Sequence, residues 1–279
     1  MELPSLQGNN ENIFWADLLK SNQAAENVYP VFRHQYGRLV SVLTKIFGTH
    51  NLQLAEDAVQ DTLLKAMQHW KFHGIPQNPS AWLFTAARNK VVDVIRKEEK
   101  GKQYEKNITP LLQSEYGLAP VVNSLLNDND IDDDQLRMMF VCCHPAIQSE
   151  GQVALILKTL CGFSVQEIAR AFISNYDTIE KRLYRARQQF RINKINFELP
   201  AADQLEARLD NVLTAVYLLF NEGYNATTDP QLIRANLMFE AMRLCDLLLS
   251  NPLTAGQKVK ALQSLMYFTA ARNNARVDN

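Results

Sequence analysis
The chain has 279 residues, 47% of them hydrophobic, and a formal net charge of −1, enough for about two globular domains with cores of their own. Near-neutrality leaves no overall field to attract nucleic acid, so any such affinity must come from local patches. Four cysteines, two adjacent at Cys142 and Cys143, give no disulfide framework. With no secretory leader and no stretch long enough to span a membrane, the chain reads as cytoplasmic.

Charge is segregated along the chain. Lys and Arg collect between Arg88 and Lys106 and again between Lys181 and Lys194, whereas Asn107 to Leu136 carries acids and no Lys or Arg. Residues 1–27 form a polar N-terminal segment, with a short helix expected over Asn12–Lys20. Apolar residues at Val28, Phe32, Tyr36, Leu39, Leu43 and Phe47 then predict a long amphipathic helix ended by Gly48. The next helix, Leu54–Trp70, turns Ala55, Val59, Leu63, Met67 and Trp70 inward. Glu56, Asp57, Gln60, Asp61, Leu64 and Lys65 are expected to face outward, and Leu64 among polar neighbours suggests a contact.

A loop with Gly74, Pro76 and Pro79 leads to Ser80, read as the N-cap of a helix over Ala81–Lys97. Leu83, Ala87, Val91 and Val94 or Ile95 line its apolar side; Thr85, Arg88, Asn89, Val92, Arg96 and Lys97 line the other. Lys71 and Phe72 precede the loop. Aromatic and cationic residues around a loop suit single-stranded nucleic acid, where bases stack and phosphates are tracked by charge; Trp82, in the first helical turn, is read as core. Residues 101–133 shift from basic to acidic and read as a linker, with the acidic run Asp128–Asp134 as part of a solvated tether.

The next unit, 134–196, opens with Leu136, Met139, Phe140 and Cys143 at helical spacing. Cys142, Cys143 and His144 point in divergent directions on a helix and lack a fourth partner at finger spacing, so buried thiols are expected, not a metal site. Within Gly162–Arg191 lies a helix-turn-helix. Ser164 and Glu167 form a capping box ahead of a helix from Val165 to about Phe172, with Ile168, Ala169 and Phe172 on one side. After a break at Ser174 and Asn175, the second helix turns Ile179, Leu183, Ala186 and Phe190 inward. Its other face carries Thr178, Lys181, Arg182, Tyr184, Arg185 and Arg187, the donors and cations needed in a major groove.

Residues 197–279 continue as helices over Gln204–Phe220, Pro230–Leu249 and Gln257–Arg272. Leu265, Met266 and Phe268 on the last are left uncovered, so this extension is read as incomplete. The fold expected is all-α: two small helical units joined by an acidic linker, followed by a helical extension.

Three motifs in this order, DAVQDTLLKA at Asp57–Ala66, PSAWLFTAARNKVVDVIRK at Pro79–Lys97 and the helix-turn-helix with its RLYRAR tail, resemble the extracytoplasmic-function group of the sigma-70 family. The resemblance covers about Val28–Lys194 and implies sigma region 2 at 28–100 and region 4 at 134–196. It implies that Asp57, Gln60, Asp61 and Leu64 dock on the beta-prime clamp helices of bacterial core RNA polymerase. It assigns Lys71, Phe72, Arg88, Asn89, Arg96 and Lys97 to minus-ten promoter DNA and the basic helix-turn-helix face to the minus-thirty-five element. LLFNEGY at Leu218–Tyr224 matches a subgroup whose extension continues into tetratricopeptide-like helix pairs, a place for a regulatory partner. The resemblance implies no cofactor, no catalytic residue and no enzyme activity; the other reading is a helix-turn-helix repressor or activator with a helical effector domain.

Overall fold
The structure, a computed structural model, describes residues 22–101, 128–225 and 231–272, which form ten α-helices and one 3-10 turn, with no strand among the described residues. The first three helices pack as one unit. Helix α1 (Asn22–Phe47) buries Phe32, Tyr36, Leu39, Leu43 and Phe47, and Gly48 at φ 83° ends it before the 3-10 turn Thr49–Asn51. Helix α2 (Leu52–His73) buries Ala55, Val59, Leu63 and Trp70 as its spacing predicts, while Met67 is only partly covered. Helix α3 (Pro79–Gly101) starts earlier than expected. Asn78, not Ser80, is the cap: its Oδ1 accepts the Ala81 N–H at 3.0 Å, and Pro79 occupies the first helical position, where its missing N–H costs nothing.

The second unit is built around a buried helix. Helices α4 (Asp128–Cys142), α5 (Ser149–Thr159), α6 (Val165–Ala171) and α7 (Tyr176–Asn193) follow in order, and every residue of α5 from Gly151 to Thr159 is buried. It is buried on all sides because α1, α4, α6, α7 and α8 (Ala202–Asn225) enclose it, its central run Val153–Leu157 being wholly apolar. Helices α9 (Gln231–Ser250) and α10 (Gln257–Ala271) complete the extension. Met266 is fully buried, contrary to expectation, and only Leu265 and Phe268 of the three apolar residues stand exposed. The helix expected over Asn12–Lys20, most of the linker and Pro230, the first residue of the helix expected over Pro230–Leu249, lie outside the described residues.

The two units are not beads on a tether, because α1 is shared between them. Buried Arg33 donates from Nη1 to the Cys161 carbonyl at 2.6 Å, lies over the Phe163 ring at 5.5 Å and reaches Glu167 at 3.6 Å. One turn on, Gly37 meets the Leu160 carbonyl so closely that any Cβ would overlap that backbone oxygen. Gly162, at φ 64°, turns the chain against the Tyr36 ring. The acidic run is likewise not a solvated tether. It forms the first turns of α4, with Asp134 fully buried between Lys45 at 2.9 Å and Arg137 at 2.6 Å, while Asp132 stands 3.9 Å from Arg38 and 3.8 Å from Arg243. A carboxylate removed from water needs such partners, which is why this run is ordered by cations from other helices.

The extension is bound to both units. Glu240 of α9 is buried and accepts from His34 Nδ1 at 3.2 Å and from Arg243 at 2.7 Å. Arg38 donates to His34 Nε2 at 3.1 Å, so that nitrogen is the acceptor and the Nδ1 proton faces Glu240. Burial alone would raise the Glu240 pKa, but the His34 hydrogen bond and the Arg243 charge outweigh it and hold the carboxyl below its ordinary value. On α8, Arg208 donates to the Phe140 carbonyl at 3.1 Å and Asn211 to Gln152 at 2.7 Å. The close approach at Gly37 gives a direct check on this packing. Gly37→Ala should destabilise the chain by about 1–3 kcal/mol, read as a lower denaturation midpoint, because the obstructing atom is backbone and cannot move aside cheaply.

Candidate polymerase and nucleic-acid interfaces
The helix-turn-helix is fixed at both ends by local hydrogen bonds. Ser164 Oγ accepts the Glu167 N–H at 3.2 Å and Glu167 Oε2 accepts the Ser164 N–H at 2.7 Å, the expected capping box. Helix α6 ends in a Schellman turn, with Ile173 N–H to Arg170 O at 3.0 Å and Ser174 N–H to Ala169 O at 2.8 Å. The left-handed position at φ 51° is held by Ile173, a β-branched residue, at a cost of about 1–2 kcal/mol relative to glycine. Asn175 then caps α7, its Oδ1 accepting the Thr178 N–H at 2.8 Å.

Helix α7 buries Ile179, Leu183, Ala186 and Phe190. On its other face Lys181, Tyr184 and Arg185 are exposed, and Thr178 and Arg182 are half-buried. The Arg182 guanidinium lies over the Phe172 ring at 5.6 Å, which steadies it within the motif. Arg187 departs from the expected pattern. Its Nη2 is 2.7 Å from Glu56 Oε2, and Glu56, expected to face outward from α2, is only 2% exposed. These two charges pair between the units, and Arg187 is turned away from the open face. The same edge is held by Thr49, whose hydroxyl donates to the Ile195 carbonyl beyond α7.

The second surface is the side of α2 and α3 remote from the shared core. Asp57, Asp61 and Leu64 are exposed one turn apart on α2, Leu64 at 41%, and Gln60 beside them is half-buried. Between α2 and α3 runs a groove of about 720 Å³, walled by Asp61, Asn78, Trp82, Thr85, Asn89 and Lys90 among others. Lys90, which sequence reasoning passed over, spans it to Asp61 at 2.7 Å. Lys71 and Phe72 stand exposed at the end of α2, Phe72 at 79%. Trp82 is half-buried and packs edge-on against Trp70 at 5.5 Å, so it is both core and groove wall. Arg88 is half-buried and Asn89 exposed; the side chains of Arg96 and Lys97 lie outside the described ones, although α3 runs through both.

All four cysteines are free and buried. Burial pushes the Cys142 thiol up to about 12, against the opposing hydrogen bond from Thr159 at 3.6 Å, so it stays protonated at neutral pH. His144 instead accepts the Ala146 N–H at the exposed turn after α4. Among the described residues no three His, Cys, Asp or Glu side chains stand together as metal ligands, and no helix is long and apolar enough to cross a membrane.

Comparison with known proteins bears on both units and the extension. Residues 31–101 match sigma-70 region 2, and residues 208–279 match a family of unknown function, DUF6596. An uncharacterized protein of Rhizobium meliloti is 37% identical over 230 residues, which are 82% of this chain and 53% of that protein, so the chain spans about half of its length. The ECF RNA polymerase sigma factor SigL of Mycobacterium tuberculosis is 28% identical over 142 residues, 50% of this chain and 73% of SigL. SigK of Mycobacterium ulcerans, of the same description, is 29% identical over 108 residues, 38% of this chain and 53% of SigK. No solved structure matches the chain significantly. The first three helices thus carry a sigma-70 region 2, the chain is similar to extracytoplasmic-function sigma factors, and a helical C-terminal extension follows.

Proposed function
We propose that the chain is a promoter-recognising subunit of bacterial RNA polymerase, with region 2 docking on polymerase and holding melted minus-ten DNA and α7 reading the minus-thirty-five element. The observation that carries this reading is the exposed Asp57, Asp61 and Leu64 patch beside a groove with Trp82 in its wall. A repressor or activator would use the basic face of α7 but has no need of that patch or that groove. Bases extruded into the groove would be held by stacking and hydrogen bonds, which offset an unstacking cost of a few kcal/mol. Opening is then driven by binding and needs no catalytic group.

The closed packing sets a further requirement. The two promoter elements lie about 25 base pairs apart, roughly 85 Å of straight duplex at about 3.4 Å per base pair. At 1.5 Å per helical residue, Thr178 to Arg187 spans about 14 Å, a helix-to-helix contact adds about 10 Å, and Glu56 to Phe72 adds about 24 Å. Joined through the Arg187–Glu56 contact, the two reading surfaces therefore lie within about 50 Å of each other. To occupy both elements at once, α7 must part from α2.

Co-purification with core RNA polymerase tests the reading. The wild-type chain should be retained and Asp61→Arg lost, while isolated duplex binding is kept; a folded wild-type chain that ignores polymerase would leave the repressor or activator reading. On duplex carrying the minus-thirty-five element, Arg185→Ala should cost about 1–3 kcal/mol if it contacts a base, whereas Arg187→Ala should instead lower the unfolding midpoint. Dyes on Gln68→Cys and Glu180→Cys should show efficient energy transfer in the free chain and a clear drop in the promoter-bound polymerase complex. Unchanged transfer in an active complex would rule out the opening.

A further inference from the structure
The groove between α2 and α3 carries four charged side chains along its walls: Asp61 and Lys65 from α2, Lys90 and Asp93 from α3. Their charges cancel. Lys90 and Asp61 are 2.7 Å apart with side chains 45% and 52% exposed, so the pair bridges the groove near its surface, where exposed ion pairs hold weakly and exchange partners readily. Asp61 also lies on the proposed polymerase-docking patch, and Lys90 follows directly on Asn89 along the wall proposed to meet single-stranded DNA. One ion pair therefore joins the two surfaces.

We propose that Lys90 is a partner-exchanging positioning residue: held by Asp61 in the free chain, it is released when a polymerase cation engages Asp61, and then pairs with a phosphate of the single strand in the groove. This rests on the function proposed above. With Asp61 satisfied from outside, Lys65 and Lys90 outnumber Asp93, and the groove changes from neutral to cationic. The exchange makes docking and strand capture reinforce each other, and the reinforcement is reciprocal, since each ligand must raise the affinity of the other by the same factor.

The test is a double-substitution cycle on the full chain, reading the anisotropy of a fluorescein-labelled, 12-nucleotide, A/T-rich single strand at low salt. Asp61→Asn frees Lys90 without polymerase and should tighten binding about 3- to 10-fold, with the salt dependence steepened by about one phosphate contact. Lys90→Met should change binding less than about twofold in the wild-type background, where the lysine is already held, yet should abolish the whole gain in the Asp61→Asn background. Thermal melts confirm that each variant is folded. A Lys90→Met effect of equal size in both backgrounds would reduce the pair to general electrostatics and overturn the exchange, as would an Asp61→Asn chain with no gain. Retention of wild type by core polymerase, measured alongside, separates the two ideas: retention without the cycle's non-additivity sinks the exchange alone, and loss of retention sinks the functional reading with it.

Discussion
The guanidinium of Arg33, buried between α1 and the turn that precedes the helix-turn-helix, is the interaction on which the arrangement depends. A charge in that position is tolerated only if hydrogen bonds and counter-charge replace the water it has lost, and the Cys161 carbonyl, the Phe163 ring and Glu167 do so. Glu167 serves twice, because it also closes the capping box that starts α6. The start of α6 and the packing of region 2 against it are thus tied through one carboxylate. Gly37, one turn further along α1, removes the side chain that would hold the helices apart.

From that junction follows which surfaces face in and which face out. Region 2 offers α1 to the second unit and keeps the α2–α3 groove free; the second unit offers α5 and one edge of α7 and keeps Lys181, Tyr184 and Arg185 free. Contacts between the units take the residues nearest the seam, Glu56 and Arg187, and spare those a turn or two beyond it. A buried pair of this kind adds little net stability over a well-packed apolar contact, but separating the partners is costly while either stays buried. Parting of the two units is therefore inexpensive only where both charges regain water or a new partner together.

The extension acts on the same seam from the other side. Glu240, held by His34 and Arg243, joins α9 to α1, while Arg208 and Asn211 join α8 to α4 and α5. Asp132 sits between Arg38 and Arg243, at the point where all three parts meet. The acids whose run resembles a solvated tether are in fact the counter-charges for cations that three different helices bring together.

What the sequence by itself determined is whatever a residue's neighbours within a turn or two specify. The inward faces of α1, α2 and α7 follow from helical spacing, the start of α6 from Ser164 and Glu167, the end of α1 from Gly48, and the exposed Asp57, Asp61 and Leu64 from their place opposite the apolar stripe. The tertiary structure alone decided the fate of the charges. Arg187 and Glu56 are 131 positions apart, Lys45 and Asp134 89 apart, and nothing local marks either pair. A charged residue on an outer helical face reads the same whether water or another helix will meet it. Only the packing of whole helices settles that, because the desolvation that makes a partner necessary exists only once the chain has folded.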